Sequence, residues 1–400
     1  MQPSAHCRRE QGWKLHVAAT RASATTVLER SLEVLLRNRC AFKFAISLDY
    51  AGLLNSAHYP RGGAGKFLTA YPDDDAHFRR VAEDLDHATA GLTGPTILSD
   101  RPYRAGGLVH YRYGAFVGRF LLSNDSDYLP VLSSPDGTLI EDRRDPWFSP
   151  PVWAPSPLGE DNGASVTDGV PGPVLLADRF IVRQAIRHAN KGGVFHAVDT
   201  HTDSEVVIKQ ARPHVEANDA GWDVRDTLRH EAEMLDLLAP LGIAPRKIDL
   251  FEQEGHLFLA QELIPGTVAR QWVSSQAIGV PGIPWPLAVD LTRQLVRLLR
   301  TVHEAGLVLR DLTPNNLLVD PDGKLRIIDL ELAAGVGTAA IPAARQAMRR
   351  PSSWRVRSLP WRRTCSALAP SPFSSPRPTT PSYSRTCPQP ARSRLAWKAG

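Results

Sequence analysis

The segment of residues 307–331, LVLRDLTPNNLLVDPDGKLRIIDLE, limits the fold of this chain more than any other feature. It contains Asp311, Asn316 five residues later, and a second aspartate, Asp329, thirteen residues after Asn316. One carboxylate can accept or orient a hydroxyl nucleophile, while an amide and a second carboxylate can hold Mg²⁺ on phosphate oxygens. The spacing therefore predicts a fold that brings these three side chains to one site.

This spacing matches the catalytic loop of protein kinases, H-R-D-L-x-x-x-N, and the metal-binding aspartate on the strand that follows it. Two departures occur, because Leu309 replaces the histidine and Leu330-Glu331 replace the Phe-Gly pair after the second aspartate. Neither departure removes a group that contacts metal or nucleotide. We therefore predict Asp311 as a catalytic residue and Asn316 and Asp329 as metal ligands.

The upstream parts of a kinase fold follow in the expected order. VVIK (206–209) predicts the strand lysine for the α/β-phosphates, and RHEAEML (229–235) supplies its ion-pair partner on the next helix. Glu233 is a less favoured alternative to Glu231, because it points about 200° away around the helix. GGVFHAVD (192–199) is a reduced glycine-rich loop, and LFLAQELIPG (257–266) predicts the hinge strand whose backbone meets the purine. The predicted nucleotide-binding residues for ATP or GTP with Mg²⁺ are Lys209, Glu231, Gly192, Gly193 and Glu262.

The composition changes abruptly after Gly337. Residues 338–400 hold eleven Arg, one Lys, ten Pro and ten Ser but no Asp or Glu, and cannot bury enough apolar surface to offset chain entropy. The A-P-E landmark and the helical lobe of a kinase do not follow. We predict a disordered Arg/Ser/Pro-rich tail resembling a shifted reading frame, an incomplete kinase-like domain over 176–337, and compromised kinase activity.

The net charge of +5 arises from this tail, which carries +12, whereas residues 1–337 carry −7. The basic balance therefore does not indicate nucleic-acid binding by the folded part. The four cysteines show neither CxxC spacing nor a disulfide framework. Because the sequence contains no apolar run of about 18 residues and no secretory h-region, we predict a cytoplasmic protein that does not interact with membranes.

Residues 1–140 alternate helical and strand patterns, which predicts an α+β domain. Helices are predicted over 23–39 and 73–91, and strands over GWKLHV (12–17) and FKFAISL (42–48). Pro, Gly and Asp dominate residues 141–175, a composition typical of an interdomain linker. From residue 176, short strands precede a helix over 224–239, a strand pair near 248–263 and a long helix over 286–305.

Positive side chains in the first domain form a second candidate site. Lys14 and His16 are two residues apart in a predicted strand and should share one face, and Lys43 lies in another apolar strand. An unpaired ammonium in such a strand is costly, and a lysine near other cations can have a lowered pKa and act as a base. Glycine-bearing loops add further cations that suit a dianionic phosphate: Arg61, Lys66, Arg101, Arg104 and Arg112. The alternative is that the lysines are solvated surface charges and that His16 is packed in the core.

The chain resembles the class III lanthipeptide synthetases. The segments that carry the resemblance are GWKLHV, YPRGGAGKFLTAYP, NKGGVF, VVIKQARP and LRDLTPNN with IDLE. These synthetases are lyase–kinase–cyclase enzymes, and class IV synthetases share the first two parts. The resemblance covers about residues 10–337 and implies a phosphothreonine-lyase-like domain over 1–140. The kinase domain would phosphorylate Ser and Thr of a precursor (leader) peptide, and the lyase would eliminate the phosphate to leave dehydroalanine or dehydrobutyrine. Because no cyclase follows residue 337, the chain resembles a truncated copy.

The resemblance also implies a role for each residue of the first domain. Lys43 would abstract the α-proton, Lys14 would stabilise the enolate-like charge, and a protonated His16 would donate to the leaving phosphate. The phosphate would be gripped by Arg61, Lys66, Arg104 and Arg112, with Arg101 as a further candidate.

Two other functions are compatible with the sequence. The chain could be a Ser/Thr kinase-like phosphotransferase whose residues 1–140 only dock the peptide, or a pseudokinase scaffold that binds nucleotide without turnover. The phosphotransferase hypothesis predicts that His16→Ala and Lys43→Ala leave all chemistry unchanged.

Overall fold

A five-stranded antiparallel sheet with helices packed on one face forms the first region of the computed structural model. Its elements in chain order are β1 (Gln11–Val17), α1 (Ala24–Arg37), β2 (Ala41–Phe44), α2 (Leu48–Leu54), β3 (Leu68–Tyr71), α3 (Asp75–Thr89), β4 (Arg101–Pro102) and β5 (Val109–Ala115). The strand order is β2-β3-β1-β5-β4. The structure describes residues 9–124, 127–159, 174–277 and 282–338.

The two long helices of this region follow the apolar periodicity of the sequence. Asp74 caps α3 by accepting a hydrogen bond of 2.7 Å from the backbone N–H of His77. Phe78, Val81 and Leu85 then bury one stripe of α3 against the sheet. The predicted α+β class is therefore confirmed.

The strand predicted over 42–48 is shorter in the structure. Strand β2 ends at Phe44, and Ser47 caps the short helix α2 by accepting a hydrogen bond of 3.1 Å from the N–H of Tyr50. The periodicity of this segment did not predict α2. A serine side chain that caps a helix competes with continued strand pairing, which explains the earlier end.

A small three-stranded meander follows, with β6 (Phe120–Leu122), β7 (Tyr128–Ser133) and β8 (Leu139–Glu141). The described part of the predicted linker, residues 141–159, then packs against the first region. Ala154 is buried in its core, the indole N–H of Trp13 donates to the carbonyl of Pro155 over 3.0 Å, and Arg79 donates to that of Pro157 over 2.6 Å. This stretch is therefore part of the first region in the structure rather than a free connector, and residues 160–173 lie outside the described residues.

The second region begins with a six-stranded antiparallel sheet in the order β13-β14-β12-β11-β10-β9. Its elements are β9 (Leu175–Leu176), β10 (Phe180–Ala189), β11 (Gly192–Asp199), β12 (Ser204–Ala211), α4 (Val224–Leu238), β13 (Lys247–Gln253), β14 (His256–Glu262), β15 (Thr267–Val268), α5 (Ala269–Gln276), α6 (Trp285–Glu304), β16 (Leu307–Val308), β17 (Leu317–Val319), β18 (Leu325–Ile327) and β19 (Ala334–Gly335). The helices predicted over 224–239 and 286–305 correspond to α4 and α6.

Helix α4 is held against this sheet by buried apolar residues, including Leu228 and Leu235. Its amino end carries a capping box in which Asp223 and Asp226 each accept a backbone N–H. Among the described residues, no helix has the length and apolar character needed to cross a membrane. Of the predicted tail, only Thr338 is among the described residues.

Candidate active sites

The face of the first sheet opposite its helices carries a row of polar side chains. Strand register pairs His16 of β1 with Thr69 of β3, and Lys43 of β2 with the same Thr69. Directly paired residues project from the same face of a sheet. Because adjacent strands lie about 4.8 Å apart, the backbones of Lys43 and His16 are roughly 10 Å apart with the small Thr69 between them. Lys43 is exposed, and its Nζ lies 5.9 Å from the ring centre of Tyr71.

Lys14 and Arg112 form a second pair on the same face. The Lys14 ammonium donates to the carbonyl of Ala115 over 3.0 Å and lies over Gly114, where an added Cβ would come within 2.9 Å of Nζ. The glycine therefore makes the space that Lys14 occupies. Burial, together with the charge of Arg112, lowers the pKa of Lys14 to about 7. This places a readily deprotonated ammonium beside a guanidinium.

Asp100, which the motif analysis did not single out, organises the centre of this cluster. Its carboxylate pairs with His16 Nδ1, accepts a hydrogen bond of 2.7 Å from the Ser99 hydroxyl and lies 3.2 Å from the Lys66 ammonium. Its side chain is 0% exposed, so these partners replace water. In the sequence, Asp100 is marked only as a single acid beside two arginines in SDRPYR (99–104), a segment without apolar periodicity.

Burial sets the protonation of two partners of Asp100. It lowers the pKa of Lys66 to about 8, against the opposing effect of the Asp100 carboxylate. It also lowers the pKa of His16 to about 3, with Asp100 opposing and Lys66 adding to the effect. His16 is therefore neutral near pH 7, with Nδ1–H donating to Asp100. The protonated His16 implied by the resemblance is thus not the state favoured in this structure, because two nearby cations and burial oppose a further charge.

His110 extends the row beyond His16 but is held as a neutral structural residue. Its Nδ1–H donates to the carbonyl of Leu108 over 3.0 Å, and its Nε2 accepts from the N–H of Ile97 over 3.3 Å. Burial lowers its pKa, in agreement with this neutral form. Both ring nitrogens are thus occupied by backbone partners.

The structure brings only some of the predicted phosphate-binding residues together. Arg112 is buried and donates to Asp142 over 2.6 Å, while Lys66 contacts Asp100 as described above. Arg104 instead forms ion pairs with Glu83 at 2.7 Å and Asp86 at 3.3 Å on the exposed surface of α3.

Two further arginines lie in the neighbouring loops. The guanidinium of Arg101 lies 5.1 Å from the ring centre of Phe148, and Arg61 donates to the carbonyl of Arg144 over 3.4 Å. The charge of Arg144 also contributes to the lowered pKa of both Lys14 and Lys66. Arg144 is therefore a cation of this site that the sequence analysis missed, because it lies in the stretch predicted as a linker.

The second candidate site lies under the six-stranded sheet of the second region. Lys209 of β12 donates to Glu231 of α4 over 2.5 Å and to the carbonyl of Ile328 over 3.2 Å, and its ammonium lies 3.9 Å from Asp329. Glu231 is buried, whereas Glu233 is exposed. The choice of Glu231 over Glu233 from helical geometry thus agrees with the contact made by Lys209.

The loop that precedes β17 brings Asp311 and Asn316 into contact. The Asn316 amide donates to the Asp311 carboxylate over 2.9 Å and to its carbonyl over 3.0 Å. The N–H of Ile328 donates to the carbonyl of Asn316 over 3.0 Å, which sets the neighbouring Asp329 beside this loop. Arg310 has a φ of 60°, in the left-handed region that residues other than glycine rarely adopt.

The remaining predicted nucleotide-binding residues lie at two strand ends. Gly192 begins β11 with a φ of 151°, and an added Cβ would lie 1.9 Å from the carbonyl oxygen of Gln210. Gly193 donates its N–H to the Gln210 side chain over 3.1 Å. Glu262 ends β14, where its N–H donates to the carbonyl of Arg246 over 2.9 Å and its carboxylate accepts from Arg246 Nε over 3.3 Å.

The donor set of the second site fits a nucleotide with a magnesium ion. Carboxylate and amide oxygens are hard ligands of the kind Mg²⁺ prefers, and Asp329 and Asn316 offer one of each. The lysine–glutamate pair between β12 and α4 is the arrangement that protein kinases use for the α/β-phosphates. The fold and these contacts define a protein kinase domain.

Comparison with known proteins agrees with both halves of this description. Residues 182–346 match the protein kinase domain family, and residues 1–165 match the family described as RamC, N-terminal domain. The chain therefore combines a segment that matches the RamC N-terminal domain with a following segment that matches a protein kinase domain. The resemblance to class III lanthipeptide synthetases predicted from the motifs is confirmed.

Individual relatives show the same division. The chain is 34% identical over 346 residues to the probable SapB synthase of Streptomyces coelicolor, covering 82% of this chain and 36% of that protein. Serine/threonine-protein kinase PknL of Mycobacterium tuberculosis is 28% identical over 167 residues, which are 42% of this chain and 40% of the kinase. The chain thus spans about two fifths or less of the length of these relatives.

Proposed function

We propose that this chain modifies a precursor peptide in two steps: its kinase domain phosphorylates Ser and Thr, and its first domain eliminates the phosphate to leave dehydroalanine or dehydrobutyrine. The observation that supports the proposal most is the row of Lys43, Thr69 and His16, with Lys14 and Arg112 on the same sheet face. A proton acceptor and a proton donor on opposite sides of a small residue suit a β-elimination. The relationship to a probable SapB synthase supports the lanthipeptide context.

In the proposed elimination, Lys43 as the free amine removes the α-proton, the Cα–Cβ double bond forms and the Cβ–oxygen bond breaks. The phosphate leaves with the bonding electrons. Lys14 donates to the carbonyl oxygen on which negative charge develops, and its pKa of about 7 makes the ammonium a stronger donor than an ordinary lysine. Lys66, Arg112 and Arg144 supply positive charge for the phosphate.

His16 is proposed to protonate the leaving phosphate. The imidazole is neutral in this structure, with Asp100 fixing Nδ1–H and leaving Nε2 as the atom that can take a proton. A dianionic phosphate placed beside His16 adds negative charge, which favours the imidazolium form and raises the pKa of His16. The phosphate of the bound substrate thereby promotes the protonation of His16, the acid that the elimination requires.

In the kinase domain, Lys209 is proposed to hold the α/β-phosphates of ATP or GTP, with Glu231 fixing the lysine. Asn316 and Asp329 would hold Mg²⁺, which neutralises charge on the β/γ-phosphates when bound. Asp311 would orient the hydroxyl of the peptide Ser or Thr, and its contact with Asn316 keeps it next to the metal position.

The elimination is tested with the purified chain and a synthetic peptide that contains phosphoserine and phosphothreonine. Mass spectrometry should detect the loss of one phosphoric acid per modified site. Lys43→Ala and His16→Asn should abolish this loss, whereas Lys247→Ala, a lysine paired with Asp236 in the kinase domain, should not. Circular dichroism checks that each variant is folded. Elimination that persists in folded Lys43→Ala would contradict the proposed role of Lys43 as the base. Absence of elimination by the folded wild-type chain would instead favour a peptide-docking role for the first domain.

The kinase step is tested separately with an unphosphorylated Ser/Thr peptide and either ATP or GTP in the presence of Mg²⁺. The peptide should gain mass by phosphorylation, or lose one water per site where the phosphate is then eliminated. Either change should require Asp311 and Asp329 and should therefore vanish in Asp311→Asn. Nucleotide binding without either mass change in the wild-type chain would instead indicate a pseudokinase scaffold.

A further inference from the structure

The turn between β10 and β11 carries a lysine at a place that covers the proposed nucleotide site. Asn190 and Lys191 form this two-residue turn, because Ala189 pairs with Gly192 across the hairpin. In protein kinases the corresponding glycine-rich hairpin lies over the nucleotide phosphates and contacts them mainly through its backbone. In this chain the β10–β11 turn also supplies the ammonium group of Lys191.

The Lys191 ammonium reaches the segment after β18 that carries Asp329. It pairs with the carboxylate of Glu331, which is two residues after Asp329 and donates its backbone N–H to the Asp329 carboxylate over 3.2 Å. The Lys209 ammonium lies 3.9 Å from the same Asp329 carboxylate. Lys191 therefore approaches the segment that carries Asp329 from the hairpin, and Lys209 approaches it from the sheet.

The first domain fixes the position of this turn. The Asn190 amide donates to the carbonyl of Ser56 over 2.8 Å. The buried Arg212 donates to the carbonyl of Asn190 and to the hydroxyl of Thr96, each over 2.8 Å. These hydrogen bonds already hold the backbone of the turn in place. The turn therefore loses little further conformational freedom when the Lys191 side chain binds a ligand, and this preorganisation favours binding.

We propose that Lys191 is a phosphate-binding residue of the kinase site, contacting the β/γ-phosphates of the nucleotide, and that Glu331 competes with the phosphates for it. The inference rests on the proposed kinase function and names a residue that the motif comparison leaves unassigned. Glu331 replaces the glycine that follows the metal-binding aspartate and its neighbour in most kinases. The carboxylate of Glu331 has a charged partner in this chain because the β10–β11 turn carries Lys191.

A purely structural role for the Lys191–Glu331 pair predicts different behaviour. If the pair only held the hairpin closed over the site, removing either partner would open the hairpin and weaken nucleotide binding. If Lys191 binds phosphate and Glu331 competes, removing the lysine weakens binding and removing the glutamate strengthens it. The two roles therefore differ in the sign of the effect at Glu331.

The test is calorimetric titration of the full chain with MgATP and, separately, with adenosine. Lys191→Gln should weaken MgATP binding by about tenfold, the loss expected for one charge-assisted hydrogen bond, and should leave adenosine affinity unchanged. Lys191→Arg keeps the positive charge and should restore most of the affinity. The matched control is Lys247→Gln, which removes the same charge from the Lys247–Asp236 pair on the far side of α4 and should leave both affinities unchanged.

Glu331→Gln should tighten MgATP binding several-fold, and this gain should disappear when Lys191→Gln is also present. Weaker binding in both single variants would overturn the inference in favour of a structural pair. An equal gain from Glu331→Gln with and without Lys191 would also overturn it, because the glutamate would then act on the phosphates directly. The same titrations are made with MgGTP if the wild-type chain does not bind MgATP, and absence of binding of both nucleotides would overturn the proposed kinase function and the inference with it. Wild-type binding that Lys191→Gln leaves unchanged would overturn the inference alone.

Discussion

Replacing Asp100 with asparagine tests whether this buried carboxylate holds the first-domain site together. The variant keeps the size of the side chain and removes its charge. It leaves the Lys66 ammonium and the His16 imidazole with a neutral partner in a place where water does not reach, since the Asp100 side chain is 0% exposed. The sheet face that carries the proposed chemistry should therefore lose stability in this variant.

The magnitude follows from the ion pair between Asp100 and Lys66, because His16 is neutral near pH 7. Burial already lowers the pKa of Lys66 to about 8, so keeping it charged at neutral pH costs roughly 3 kcal/mol even with Asp100 present. Removing one partner of a buried pair typically costs about 3–5 kcal/mol. The matched variant Ser99→Ala removes only a neutral hydroxyl that contacts Asp100 and Lys66, and should cost about 1 kcal/mol.

The pH dependence gives the sign of the effect. The folded-state pKa of Asp100 is depressed, so its stabilisation is complete above its ordinary value and is lost only as the pH falls through the folded pKa. In Asp100→Asn the folded pKa of Lys66 falls further below its unfolded value. The variant is therefore penalised most when Lys66 must stay protonated, and the loss of stability should be larger near about pH 6 than near about pH 9.

Hydrogen-exchange mass spectrometry of β1 and β5, corrected for intrinsic exchange rates, measures this loss in the first domain separately from the kinase domain. A loss of about 3 kcal/mol corresponds to a fall of roughly a hundredfold in protection. Equal effects of Asp100→Asn and Ser99→Ala would refute the reasoning, and so would a loss that does not change with pH.

Three further substitutions test other contacts. Arg112→Met leaves Asp142 buried and unpaired, so chemical denaturation should show a loss of about 3–5 kcal/mol, which Asp142→Leu in the same chain should largely restore. Arg104→Gln should change phosphopeptide elimination by less than about twofold, because Arg104 is itself exposed and pairs with Glu83 and Asp86 of α3 rather than with the polar sheet face. A large loss of elimination would place Arg104 at the phosphate. Arg212→Met leaves the oxygen acceptors of Thr96 and Asn190 without their donor, at a cost of about 1–3 kcal/mol each. Hydrogen-exchange protection should therefore fall in the segments around both residues together. A fall around only one of them would show that the Arg212 contacts do not join the two domains.

Motifs and local periodicity predicted much of both sites. The alternation of GWKLHV predicted that Lys14 and His16 share a face, and the structure places them on the face opposite the helices. The spacing of the catalytic loop and of Lys209 with Glu231 predicted contacts that the kinase domain contains. These features are readable because the repeat of a strand or helix fixes the side-chain direction within a few residues.

Contacts between distant parts of the chain were decided by the tertiary structure. Asp100 meets His16 across 84 residues, and Arg212 meets Thr96 across 116 residues. The stretch after residue 140 packs on the first domain although its composition is that of a linker, and Arg104 turns to acids on α3. The sequence by itself determined the two domain types, the long helices α1, α3, α4 and α6, the strands that carry Lys14, His16 and Lys43, and the residues that carry charge. Which charges are buried together, and so which have shifted pKa values, depends on loops whose positions are set by packing rather than by any local repeat.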